Sequence, residues 1–366
     1  MGGEPVAQGT GLSACTTIVA SGEYFLTENL VTAATCILII GNDVTLDCKN
    51  FKISEQYPSA QTTGVSIAGR RASVKNCVFS ATDVGVQING GANDGGSNAD
   101  ISSNTFEDNN KAIVALNYPT NGVIFSNTIR RAKANGIQLT GTIGVSSNTI
   151  IDSQGSIHVI GPNTADIAHN TIENEKSVLA DYGAIFVKDY IGSIVDNVIT
   201  SPESNGIYVL NSNPNVKTNT VENAGTNGIF VAGGSPTIDS NTVKNAGSNG
   251  INWGSSSAFG KVFRNVVKSP ASVGVFVSSG NPTVEGNTIE GAGGSGVKWS
   301  SSSSGGVYNN RITSPIGTGI VVSSGAPLVG NVFNPNTIEN AGGNGVTWES
   351  SASGVGVTGN VIKLPV

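Results

Sequence analysis

Asn219 to Ser240 reads NTVENAGTNGIFVAGGSPTIDS, and this stretch decides the fold. Three short apolar pieces stand in it, Thr220-Val221, Ile229-Phe230-Val231 and Thr237-Ile238, separated by Gly, Asn and Pro. Apolar and polar residues alternate within each piece, the pattern of a strand with one buried face. No run of helical period interrupts them. The opening Asn-Thr-Val then returns along the chain. Asn104-Thr105-Phe106, Asn127-Thr128-Ile129, Asn148-Thr149-Ile150, Asn170-Thr171-Ile172, Asn241-Thr242-Val243, Asn287-Thr288-Ile289 and Asn336-Thr337-Ile338 are clean copies. Asn76, Asn197, Asn265, Asn310 and Asn360 head looser ones. A near-constant period of this size marks a solenoid, whose repeats pack only on their neighbours. Three strands per coil predict an all-β, single-stranded parallel β-helix with about 13 coils of about 22–24 residues and three short parallel sheets.

Composition agrees. Gly contributes 49 of 366 residues and charged residues only 12%, against about 25% in ordinary globular domains. Net charge is −6 with no basic stripe, so the electrostatic footprint of a nucleic-acid binder is missing. No stretch is long and apolar enough to span a membrane as a helix. Met1-Gly2-Gly3 reads like an added start on a mature chain, with no signal peptide visible. The four cysteines, Cys15, Cys36, Cys48 and Cys77, have no zinc-like spacing and admit three disulfide pairings. The expected pairs are Cys15–Cys36, stapling a cap over residues 1–43, and Cys48–Cys77, joining the first coils of one continuous β-helix domain over 44–366. Disulfides imply export, to the medium or the cell surface.

The repeated Asn has a structural task first: at a turn it bonds neighbouring backbone, and stacked on its copies it forms an amide ladder. The Gly of Asn-Gly-Ile is expected to supply a positive φ at a corner. Trp253, Trp299 and Trp348 alternate with Val231, Val277 and Val322 and should point into the core. No Asn-x-Ser/Thr glycosylation acceptor is found. An outward Thr row, broken by Val198, Val266, Val361 and Arg311, raises an ice-binding reading, but Thr is also the favoured strand residue at such positions and explains the row better.

The patterns N-x-[TV]-[IV] and N-G-[IV]-x-[VLW], with the opening segment Val44-Thr45-Leu46-Asp47-Cys48-Lys49-Asn50, resemble right-handed parallel β-helix proteins of the pectate-lyase-like superfamily over roughly residues 40–362. The resemblance implies a right-handed coil. It also implies a range of roles: polysaccharide lyases, epimerases and hydrolases, but also fibres without catalysis. The acidic calcium-binding cluster of a pectate-lyase-type site is not visible, nor is a His beside Asp-Pro.

Candidate chemistry gathers around the residue between the two apolar positions of Gly-Ile-x-Val, which should face solvent. Phe186, Tyr208 and Phe230 are consecutive there and form an expected aromatic strip for sugar rings, with Asp181 and Tyr182 alongside. Proton abstraction beside a carboxylate needs a base, a donor and a cation. His158 is the candidate base, Tyr190 or Tyr208 the donor, and Arg131 or Lys188 the neutraliser. A hydrolase would instead need paired carboxylates from Asp181, Asp189 and Glu173. No metal site and no cofactor are expected. The function expected is binding, and possibly cleavage or epimerisation, of an extracellular polysaccharide, with lyase or epimerase chemistry favoured over hydrolysis. The alternative is a non-catalytic structural or adhesive rod, self-associating through the low-charge C-terminal half or the terminal coil.

Overall fold

The computed structural model describes residues 9–56, 61–91, 95–177, 183–256, 259–352 and 356–363. It is a parallel β-solenoid of about 14 turns with three sheets and no helix among the described residues. The chain divides into two units, Met1–Asp166 and Ile167–Val366. Each unit has the same three kinds of strand. Sheet I holds the strand that follows the repeated Asn, sheet II the Gly-Ile-x-Val strand, and sheet III the strand that leads into the next Asn. The coil that opened the sequence reading contributes Thr220–Glu222, Ile229–Val231 and Thr237–Asp239 to them in that order.

Registers are strict. In sheet I, Val221 pairs with Val243 and Val243 with Val267. In sheet II, Val231, Trp253, Val277, Trp299, Val322 and Trp348 stack one per coil. Trp253 and Trp299 are fully buried, so large and small side chains interleave in the core as the alternation predicts. Trp348 departs from this expectation and is 55% exposed. Its strand, Val346–Ala352, pairs on one side only among the described residues. Each buried indole has a glycine opposite it. A Cβ on Gly260 would lie 1.8 Å from Trp253 Cη2, and one on Gly305 2.2 Å from Trp299 Cη2.

The amide ladder is present and continuous within each unit. In the second it runs Asn170, Asn197, Asn219, Asn241, Asn265, Asn287, Asn310, Asn336, Asn360. Each Asn donates its backbone N–H and its Nδ2 to the Oδ1 of the next, and Nδ2 also donates to a carbonyl of the preceding coil; for Asn241 these contacts measure 2.9, 3.0 and 2.9 Å. Burying an amide is tolerable because its donors and its acceptor are used.

Two expectations about turns are corrected. Asn76 is not a ladder residue: it takes a left-handed φ of 53°. The ladder place belongs to Cys77, whose N–H donates to Asn104 Oδ1 at 2.9 Å. Cys77 is bonded to Cys48, and Cys15 to Cys36, so both expected disulfides are present and one of them caps the ladder of the first unit. The Gly of Asn-Gly-Ile does not supply positive φ. The left-handed corners instead fall before most ladder Asn and after the sheet I strands, as at Ser240 (55°) and Asn223 (57°). Gly is required for close approach, since a Cβ on Gly228 would meet Val243 Cγ1 at 2.2 Å. The Asn beside it makes a second, shorter ladder: Asn227 Nδ2 donates to Asn205 Oδ1, and Asn249 Nδ2 to Asn227 Oδ1.

Sheet I faces outward with charge beside its Thr row. Glu222 meets Lys244, Glu290 meets Lys268, and Glu339 meets both Arg311 and Lys363. A row of ion pairs is not the flat hydroxyl plane that ordering of ice requires, and the ice-binding reading is dropped.

Candidate functional site

Sheet II carries the expected outward row. In the second unit Phe186, Tyr208, Phe230, Asn252, Phe276, Lys298, Val321 and Thr347 stand in register on eight successive strands. Inward Ile and Val on either side fix their direction, because successive side chains in a strand alternate. Phe186 meets Tyr208 edge-on at 5.4 Å between centroids, and Tyr208 stacks on Phe230 at 4.9 Å.

Pointing outward is not the same as being exposed. Phe186 and Tyr208 are only 7% and 5% exposed, so the expectation that they face solvent is corrected. Phe230, Asn252, Phe276 and Lys298 are half-buried and form the open part of the row. Asp181 and Tyr182 lie outside the described residues.

Of the candidate catalytic residues, Arg131 and His158 belong to the first unit and Lys188, Asp189 and Tyr190 to the second. Tyr190 is fully buried and its hydroxyl donates to the Ser193 carbonyl at 2.8 Å. Arg131, in the first unit, grips Asp108 with Nε and Nη2 at 2.7 and 3.0 Å across two coils. That carboxylate is its counter-ion here, and the pairing holds Asp108 below its usual pKa. Lys188 ends its strand half-buried, and Asp189 follows it at an exposed left-handed corner. His158, in the first unit, stands in register with Gln138. Burial, with help from the Lys111 ammonium, lowers its pKa to about 4, so the imidazole is neutral at pH 7.

One unusual group is not among the candidates named from the sequence. Glu175 occupies a corner column filled by Pro202, Ala224, Ala246, Pro270, Ala292 and Pro315 in the coils that follow. Comparing coils position by position would have exposed it. Its carboxylate is fully buried and accepts from Ser177 N–H at 2.9 Å and from the Ser204 hydroxyl at 3.1 Å. Burial outweighs these bonds and raises its pKa from 4.5 to about 7. A carboxyl whose folded pKa exceeds its unfolded one stabilises the fold at low pH and loses that contribution as pH rises from about 4.5 to about 7. The difference is of order 3 kcal/mol. Glu175→Gln is therefore expected to stabilise the chain at pH 8 relative to the parent and to match it near pH 4. Denaturant melts of the two proteins at both pH values check this; an equal offset at the two would refute it.

Residues 183–363 match the family described as periplasmic copper-binding protein (NosD), and residues 35–155 match the right-handed β-helix region family. No curated protein matches the chain. Among solved structures, the catalytic unit of the GH87 α-1,3-glucanase of Streptomyces thermodiastaticus strain HF3-3 is 17% identical, with TM-score 0.42 over 77% of this chain, which spans 59% of that enzyme unit. The A-module of the Azotobacter vinelandii mannuronan C-5 epimerase AlgE6 is 14% identical, TM-score 0.46, covering 94% of this chain and 92% of the module. A tailspike mutant of E. coli bacteriophage HK620, solved with a pentasaccharide, is 11% identical, TM-score 0.44, covering 95% and 69%.

Copper can be tested against the donors present. Imidazole, thiolate and thioether are the side chains that select it. Residues 183–363 contain no His, no Cys and no Met. Several of the segment's carboxylates are engaged by Lys or Arg on adjacent coils. Among the described residues no three His, Cys, Asp or Glu gather as ligands. The matched segment does not fit a copper site. What the repeats, the registers and the family match share is the architecture: the chain is a right-handed parallel β-helix protein.

Proposed function

We propose that this chain is a carbohydrate-binding β-helix of an oxidising, exported compartment, and that its glycan lies along the open part of the sheet II row. The observation that supports this is the in-register sequence Phe230, Asn252, Phe276, Lys298, continuing a stacked aromatic strip whose far end is covered. Aromatic faces take the apolar faces of sugars, and Asn and Lys between them offer polar contacts to hydroxyls and carboxylates. Two disulfides support an oxidising compartment. Lyase or epimerase chemistry needs a base, a donor and a neutralising cation together. Tyr190 and Arg131 are otherwise engaged, and only the neutral His158 keeps a protonation state suited to its expected role. Binding without turnover is accordingly the reading preferred.

The test is affinity electrophoresis in gels containing neutral or uronate polysaccharides, with ultraviolet absorbance and reducing ends followed in parallel. Retention is expected, weakened about five- to tenfold by Phe276→Ala or Phe230→Ala, with no new absorbance. New double bonds from uronates would show a lyase and make His158 the first residue to replace. Lack of retention on every polymer would overturn the carbohydrate reading in favour of a structural rod.

A further inference from the structure

We propose that the outer face of sheet III in the second unit is a separate site for an acidic, carboxylate-bearing oligosaccharide. A hollow of about 320 Å³ opens there, lined by Ser193, Val195, Asn215, Lys217, Thr237 and Asp239. These are the outward residues of three successive strands, held in register as Ser193–Asn215–Thr237 and Val195–Lys217–Asp239. Two outward rows across three strands span about 10 Å along the stack.

Charge singles this face out. The chain carries −6 overall, yet Lys217, Lys261 and Arg264 stand here with a single carboxylate, Asp239, in the lining of the hollow. That carboxylate is satisfied: Arg264 grips it with Nε and Nη2 at 3.0 and 2.7 Å, while its guanidinium lies 4.3 Å over the Phe263 ring. The fork is thus held from two sides and Asp239 needs no second cation. Lys217 and Lys261 are exposed and make no ion pair among the described residues. Their ammonium groups stand beside a row of hydroxyl and amide side chains. Cations next to short polar groups suit a ligand with a carboxylate among many hydroxyls. They do not suit a phosphate, which would draw on a bidentate arginine that here is already occupied. The next carboxylates are Asp196, at the corner after Val195, and Glu285, two strands beyond Asp239. Further along the same face Tyr308 lies across Gly306, where a Cβ would come within 2.0 Å of the ring.

Calorimetry of the full chain with oligogalacturonate, at low and high salt, tests the site. Binding is expected, weaker at high salt and weakened about tenfold by Lys217→Gln, which removes one charge-assisted contact. Lys244→Gln, on sheet I and outside both proposed glycan faces, should leave that affinity unchanged. No binding, an unchanged affinity in Lys217→Gln, or equal affinity for a neutral gluco-oligosaccharide would overturn the proposal. Loss in Phe230→Ala with none in Lys217→Gln would place the acidic ligand on sheet II, refuting this site while supporting the other.

Discussion

Asn241→Ala is expected to destabilise the second unit by about 3–5 kcal/mol, far more than a neutral truncation of that size at a surface. The reason is directional. Asn241 Oδ1 accepts both the backbone N–H and the Nδ2 of Asn219, each at 2.9 Å, in a fully buried corner. Its removal leaves the Asn219 N–H without an acceptor, which alone costs about 1–3 kcal/mol. Asn219 Nδ2 keeps its bonds to Ile194 and Lys217 carbonyls, so the damage there is partial. The emptied volume adds a cavity term. Asn241→Asp separates the two contributions. It restores an acceptor toward Asn219 but sets a carboxylate oxygen against the Val216 carbonyl and Asn265 Oδ1, both of which accepted or shared a proton from Nδ2 in the parent. The buried carboxyl should hold its proton to higher pH than an unfolded Asp does. Its stability is then better at acid pH and declines as pH rises. Denaturant melts of both variants across pH provide the measurement, and an Ala variant within 1 kcal/mol of the parent would show that the ladder is ornamental.

The second large effect is expected at Gly260. The substituted Cβ would sit 1.8 Å from Trp253 Cη2 and 2.9 Å from the Pro236 carbonyl. An indole packed on all sides cannot swing away, so Gly260→Ala should cost about 3 kcal/mol, at the upper end of overpacking. Trp253→Leu is itself destabilising through lost burial, by about 3 kcal/mol. Combined, the two should not add: with the indole gone only the Pro236 contact opposes the new methyl. A double-mutant cycle is expected to return a coupling of about 2 kcal/mol. Simple additivity would mean that the backbone, not the indole, demands Gly at 260.

The periodic part of this molecule was legible because each coil solves the same packing problem. Strand positions in the 219–240 coil, the Asn ladder and the Trp–Val alternation all follow from inward and outward alternation repeated at a fixed interval. What escaped reading is aperiodic. Cys77 stands in a ladder place because the first coils use a covalent bond where later coils use amides. Gly228 is needed for space and not for its φ, a distinction that depends on Val243 one coil away. Phe186 and Tyr208 point outward as read, but whether an outward side chain is open depends on what lies over the sheet, and pattern alone does not say. Tyr190 sits beyond its strand, where the partner of its hydroxyl is a matter of local turn geometry.

The ladder bonds link residues 22 apart from Asn197 to Asn219 and again from Asn219 to Asn241. Excising one such coil leaves every ladder donor facing an identical acceptor, since Asn197 would simply meet Asn241. The Trp–Val alternation is stricter. Losing the Trp253 coil would set Val231 against Val277 and open a void, whereas losing a Trp coil with its Val neighbour would not. Gene rearrangements can therefore shorten or lengthen this molecule without redesigning its core, provided that in its Trp-bearing half they do so two coils at a time.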